Sequence, residues 1–211
     1  MKWKVCGMRE TANIEAVLAL EPDYMGFIFY PPSPRFVGDD LDENLLKNDF
    51  PKSTKKVGVF VNASEAEIRQ EIQKYALDVI QLHGSESPEL CKAFQNEVEV
   101  IKVFGLGKDD FDFSQLNEYE NVVDFFLFDT QSKKHGGTGK TFDWNLLNEY
   151  QSKKPYFLSG GIAIDNVQKL EEINIPKAFA LDVNSKFEIT PAMKNVDLLA
   201  ELKIEIKKLK I

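Results

Sequence analysis

The sequence predicts a closed (β/α)8 barrel of the TIM type. Three observations carry that expectation. Short apolar runs alternate with amphipathic ones, the pattern of a parallel sheet with crossover helices. The alternation occurs eight times. The 211 residues suit a single domain over 1–211, at the short end of the roughly 200–250 residues of such barrels. The competing architecture, an open doubly wound sheet, calls for G-x-G-x-x-G after the first strand, and none is present.

The units follow in order. Lys2–Cys6 reads as the first strand, with a helix near Thr11–Leu20. Tyr24–Phe29 is the second, with a weak helix around Leu41–Asp49. The third, Lys56–Val61, is rich in β-branched residues. Its helix opens on a capping box, Ser64 with Glu67, and puts Ile68, Ile72 and Tyr75 on one face. Asp78–His83 is the fourth strand, before a helix that starts at Ser87-Pro88 with a cap and an N1 proline. Glu99–Phe104 is the fifth, with a helix near Phe111–Glu118. Val122–Asp129 is the sixth, and a helix at Asp143–Tyr150 follows its glycine loop. Tyr156–Ser159 is the seventh, with a helix near Asp165–Ile173. Ala178–Val183 is the eighth, and a last helix over Val196–Leu209 turns Val196, Leu199, Leu202, Ile206 and Leu209 inward.

The formal charge of −8 argues against nucleic acid or an anionic membrane as the main partner. Two cysteines, Cys6 and Cys91, form no disulfide framework and point to a reducing compartment. With no signal-like or membrane-spanning apolar run, the expected location is cytoplasmic. Two histidines make a His-rich metal site a poor reading.

In such a barrel the site forms where strands end. Cys6-Gly7 ends the first strand, and Arg35 follows the second in "YPPSPRF". Asn62 ends the third; Gln81 and His83, two apart, share one face of the fourth. Asp129-Thr130 ends the sixth, Ser159-Gly160-Gly161 the seventh, and Asp182 with Asn184-Ser185 the eighth. Each alone has a bland reading: a buried small thiol, a turn aspartate, a solvated arginine, a core histidine, tight-turn glycines. A barrel brings them to one mouth, where those readings become jointly less natural. Cys91 reads as packing or surface.

The loop "HGGTGKTFDW", 135–144, ends Gly-Lys-Thr like a nucleotide-binding loop. That loop needs its first glycine at 134, which is Lys134. With Gly137 and Gly139 after strand six, Gly160 and Gly161 after seven and Asn184-Ser185 after eight, the pattern instead suits a substrate phosphate monoester held by backbone N–H groups.

"KVCG" at 4–7, "GFIFYPPSPR" at 26–35, "VGVFVN" at 57–62, "IQLHG" at 80–84, "FDT" at 128–130, "GGTGKTFDW" at 136–144, "LSGGI" at 158–162 and "DVNS" at 182–185 together resemble phosphoribosylanthranilate isomerases, over nearly the whole chain. The resemblance implies an Amadori rearrangement of N-(5′-phosphoribosyl)anthranilate in tryptophan biosynthesis, without a cofactor. It implies Cys6 as general base, Asp129 as general acid, and Arg35 meeting the anthranilate carboxylate. An acid working near neutrality needs a raised pKa, and a thiolate base needs nearby positive charge. The chain departs from the family after "DVNS": Lys186-Phe187-Glu188 stands where Gly-Val-Glu is usual, and Pro191-Ala192-Met193-Lys194-Asn195 replaces a Pro-Gly-x-Lys-Asp-like stretch. Lys186 thus either adds charge near the phosphate or points to solvent. The alternatives are another sugar-phosphate barrel enzyme, such as a ribulose-phosphate epimerase, or a catalytically dead barrel that binds a phosphorylated ligand or a protein. An NTPase is the least suited. The expected partner is a small phosphorylated substrate, and the expected assembly a monomer or homodimer.

Overall fold

The computed structural model describes residues 1–107, 111–130, 143–171 and 178–209. Eight parallel strands close into a barrel in sequence order, as the alternation predicts. They are β1 (Lys2–Val5), β2 (Tyr24–Ile28), β3 (Lys55–Phe60), β4 (Val79–Leu82), β5 (Glu99–Leu106), β6 (Phe125–Thr130), β7 (Tyr156–Leu158) and β8 (Ala180–Val183). The seam is the parallel pairing of β1 with β8, with Lys4 opposite Asp182.

Among the described residues the α-helices are fewer than the sequence suggests. They are α1 (Thr11–Leu18), α2 (Glu65–Tyr75), α3 (Pro88–Lys92) and α4 (Val196–Lys208). On α2 the capping box forms as expected: Glu67 N–H donates to Ser64 Oγ at 3.3 Å, and Ser64 N–H to the Glu67 carboxylate at 2.7 Å. Leu199, Leu202 and Ile206 are the buried stripe of α4. After β5, β6 and β7 the expected helices are 3-10 turns, at Phe113–Glu118, Trp144–Glu149 and Val167–Glu171. The side chains of Asp112 and Asp143 accept from the N–H groups two residues on, at 2.9 and 3.0 Å. These are N-cap bonds, which satisfy an open amide at the start of each turn. The weak helix after β2 survives as one π-helical turn, Leu45–Asp49. A short antiparallel hairpin, β9 (Glu188–Thr190) with β10 (Met193–Lys194), was not legible in the sequence.

Strand side chains alternate between faces, and the barrel sorts them by height. Tyr24, Val57, Val79, Ile101, Val103, Leu127, Phe157 and Ala180, from seven strands, form an apolar cluster apart from the core under the helices. This is the inner floor. Counting upward in twos from it reaches Val59, Gln81, Asp129, Ser159 and Asp182, and the same parity on β1 gives Lys4 and Cys6. The polar layer at the C-terminal end follows from period-2 patterning.

One buried charge cluster braces that end. The Glu86 carboxylate accepts from Lys102 Nζ at 2.9 Å and from the N–H groups of Asn62 and Gly84 at 2.8 Å each. It ties the ends of β3 and β4 to β5, and Lys102 also donates to the Gly84 carbonyl at 2.8 Å. Asn62, at φ 53, sits in the left-handed region that asparagine tolerates. Removing one partner of such a pair leaves a buried charge uncompensated, so Glu86→Ala is expected to cost about 3–5 kcal/mol. Urea unfolding checks this, and the pair Glu86→Leu with Lys102→Met should be less damaging than Glu86→Ala alone.

Candidate active site

A cavity opens at the C-terminal end of the barrel, lined among others by Cys6, Gln81, His83, Asp129, Ser159, Gly160, Gly161, Asp182, Asn184 and Ser185. The residues expected at one mouth, drawn from β1, β4, β6, β7 and β8, are thereby brought together. The cavity walls differ. Ile28, Tyr30, Val59 and Val61 make a largely apolar side on β2 and β3. Ser159 to Gly161 and Asn184-Ser185 make a polar, glycine-bearing side on β7 and β8. Gly137 and Gly139 lie outside the described residues.

Two glycines are required by close approach. A Cβ on Gly26 would stand 2.8 Å from Cys6 Sγ, so the bare backbone of β2 makes room for the thiol. Gly160, at φ 90, would carry a Cβ 2.8 Å from the Thr130 amide nitrogen and 3.3 Å from Asp129 Oδ1. The end of β7 can close on the end of β6 only without a side chain there.

Asp129 is largely but not fully buried, its side chain 13% exposed, and its Oδ1 accepts from Thr130 N–H at 2.8 Å. Burial pushes its pKa up to about 6, with Asp182 adding to the rise and the bonds from Thr130 and Ser159 opposing it. His83 Nε2 lies 3.7 Å from Asp129 Oδ2. Gln81 Nε2 lies 3.3 Å from His83 Nδ1. Gln81 Oε1 is buried with no hydrogen-bond partner among the described residues.

Cys6 sits over a buried ion pair. Lys4 Nζ is 2.9 Å from Asp182 Oδ1, and both groups are buried. Burial pulls the Lys4 pKa down, but Asp182 and the Cys6 thiol more than offset it, and the ammonium is held charged. For Cys6, burial pushes the pKa up; Lys4 and Lys194 pull against it, and Asp182 adds to the rise. The net direction is upward, against the sequence expectation of a ready thiolate. Positive charge is present, as expected, but the dry site and the carboxylate outweigh it.

Arg35 does not line the cavity. Its Nε and Nη2 form a fork on the Glu188 carboxylate, at 2.9 and 2.7 Å. One edge of the planar group is thereby committed, leaving Nη1 without a partner among the described residues. Gly7, at φ 78, lets Arg35 and Asn184 pack against it; a Cβ would stand 2.8 Å from Arg35 Cδ. Lys194 Nζ joins the cluster, 2.6 Å from Glu188 Oε1 and 2.7 Å from Asn184 Oδ1. Burial alone would raise the Glu188 pKa, but Arg35 and Lys194 hold it below the usual range. Among the described residues, no cluster of His, Cys, Asp and Glu has the makings of a metal site.

The sequence model of N-(5′-phosphoribosyl)anthranilate isomerases matches residues 3–203. The chain belongs to the phosphoribosylanthranilate isomerase family. It is 44% identical over 197 residues to the N-(5′-phosphoribosyl)anthranilate isomerase of Parabacteroides distasonis, covering 93% of this chain and 89% of that protein. The crystal structure of the Thermotoga maritima phosphoribosylanthranilate isomerase superposes with a TM-score of 0.87 at 31% identity, over 99% of this chain and 100% of that one. A further family structure holds reduced 1-(o-carboxyphenylamino)-1-deoxyribulose 5-phosphate; it superposes with a TM-score of 0.84 at 28% identity, over 99% of this chain and 100% of that one.

Sequence reasoning missed Lys4, Glu188 and Lys194 as members of the site. A signal existed for Lys4: it lies two residues before Cys6, hence on the same face. For Glu188 and Lys194 the signal was their match to the glutamate and lysine of the resembled family stretches, but the hairpin that joins them is not announced by the pattern.

The burial of Asp129 has a cost visible in stability. Its folded pKa of about 6 lies above the ordinary 3.8. The group's contribution is therefore full below about pH 4 and lost as pH rises through about 6, by up to about 3 kcal/mol. Carboxyl NMR should place the titration of Asp129 near pH 6, and Asp129→Asn should flatten this part of the stability curve. A midpoint near 4 would contradict the burial argument.

Proposed function

We propose that this protein isomerises N-(5′-phosphoribosyl)anthranilate to 1-(2-carboxyphenylamino)-1-deoxyribulose 5-phosphate, the Amadori step of tryptophan biosynthesis. The observation that carries the reading is that Cys6 and Asp129, from β1 and β6, line one cavity between an apolar wall and a glycine-bearing one. The substrate has matching ends: an aromatic ring and a phosphate, joined by the sugar where the chemistry occurs.

Asp129 acts first, as general acid. Its carboxyl proton goes to the ribose ring oxygen as the bond from that oxygen to the first sugar carbon breaks. The anthranilate nitrogen lone pair fills the vacancy, giving a protonated Schiff base. Cys6, as thiolate, then takes the proton from the second sugar carbon. The C–H electron pair forms the carbon–carbon double bond of an enolamine and neutralises the nitrogen. The enol gains a proton at the first carbon, loses one from its hydroxyl, and becomes the ketone. No electrons leave the substrate, so the sequence balances without a cofactor.

The surroundings suit these roles. A carboxyl with a pKa near 6 keeps a protonated fraction near neutrality, which an ordinary aspartate does not. The Lys4 ammonium beside Cys6 favours the thiolate as it forms. The unpartnered Gln81 Oε1 offers an acceptor to a substrate hydroxyl or amine. Ser159, Gly160, Gly161, Asn184 and Ser185, together with the loop carrying Gly137 and Gly139, take the phosphate. Arg35 lies beside the described lining rather than on it, and meeting the anthranilate carboxylate requires its uncommitted edge to come into the cavity.

Anthranilate fluorescence follows the reaction in freshly made substrate. Cys6→Ala and Asp129→Asn are each expected to lower kcat by about 10²–10⁴, the usual worth of a positioned proton-transfer group. The double variant should lose less than the product of the two, since both act on one reaction path. Melting midpoints report folding. A folded Cys6→Ala protein near wild-type kcat rules out this assignment, and wild-type protein that binds ribose 5-phosphate without turnover favours a non-catalytic barrel.

A further inference from the structure

We propose that Lys186 is a phosphate-binding residue of this chain, supplying positive charge that the rest of the described cavity lining lacks. The inference rests on the sugar-phosphate reading above and extends it to a residue that reading does not use.

The described lining is short of cations. Among its described residues, Lys186 is the one lysine or arginine, against the carboxylates Asp129 and Asp182. Among the described residues, the neighbouring cations are paired with carboxylates: Lys4 with Asp182 at 2.9 Å, Lys194 with Glu188 at 2.6 Å, Arg35 with Glu188 at 2.7 Å. A ligand carrying a phosphate and a carboxylate thus meets a cavity whose nearby positive charges are largely answered by negative ones. Lys186 makes no ion pair among the described residues, and its side chain is exposed at the rim.

Its backbone is held in place. Lys186 is the middle residue of the 3-10 turn Ser185–Phe187. On one side Phe187 is buried, its N–H donating to the Asn184 carbonyl at 3.0 Å and its carbonyl accepting from Asn195 N–H at 2.9 Å. On the other, the Asn184 side chain is fixed by Lys194 at 2.7 Å. A long flexible cation therefore springs from a fixed point beside Asn184 and Ser185, on the wall shared with Gly160 and Gly161. That wall, with its left-handed glycines at φ 90 and 70, is the phosphate end, away from the apolar wall of β2 and β3. An ammonium is a point charge that suits a tetrahedral anion without the planar matching a carboxylate fork needs.

Calorimetry with ribose 5-phosphate and with anthranilate separates the two ends of the site without turnover. Lys186→Gln is expected to weaken ribose 5-phosphate roughly tenfold, the order of one charge-assisted contact, and to leave anthranilate binding as it was. Lys186→Arg should restore most of the loss, and the affinity of the Gln variant should depend less on salt. The KM for substrate should rise in step. Equal ribose 5-phosphate affinity in wild type and Lys186→Gln overturns the proposal, as does a loss confined to anthranilate. Wild-type protein that fails to bind ribose 5-phosphate at all defeats the sugar-phosphate reading itself, a result distinct from either.

Discussion

The structure depends most on the ion pair between Lys4 and Asp182. It spans the seam where the first and last strands meet, so barrel closure and the placement of two charges are one event. Both side chains are buried, and neither charge tolerates that burial without the other. The pair also sets the electrical character of the site. Lys4 draws the Cys6 thiol toward ionisation, while Asp182 raises the pKa of both Cys6 and Asp129. A single cross-strand contact thereby reaches both proposed proton-transfer groups.

A second carboxylate does similar work on the opposite flank. Glu188 gathers Arg35 and Lys194, and through Lys194 fixes Asn184. Ala192 N–H also donates to Glu188 Oε1, at 3.1 Å, which ties down the hairpin. The altered stretch after "DVNS" thus retains its glutamate and lysine as an internal brace. Where the family pattern has glycine, Ala192 adopts φ 69, a left-handed conformation that alanine rarely takes.

Much of this was legible in the residues. The eight units, the capping box of α2 and the shared face of Gln81 and His83 all follow from period and spacing. The raised pKa of Asp129 followed from asking what an acid must be. The 3-10 turns were not legible, because an N-cap such as Asp112 or Asp143 opens a 3-10 turn and an α-helix alike. The commitment of Arg35 to Glu188 joins residues far apart in sequence. The upward shift of Cys6 is a balance of burial and Asp182 against Lys4 and Lys194, and no pattern in the chain weighs those against each other.

The two shifts together make a definite claim. With the acid's pKa near 6 and the base's above the ordinary thiol range, the proposed active form is the minor one, protonated Asp129 with ionised Cys6. Below about pH 6, that form grows tenfold per pH unit as the thiol ionises. Above it, Asp129 loses its proton as fast as Cys6 does, and the population stays level until the thiol itself titrates. The pH dependence of kcat/KM tests this most directly. The account expects a level rate from about pH 6.5 to beyond about pH 8, where an ordinary thiol begins to titrate. A rate that falls tenfold per unit above pH 6 would mean that Cys6 is already ionised and would contradict it.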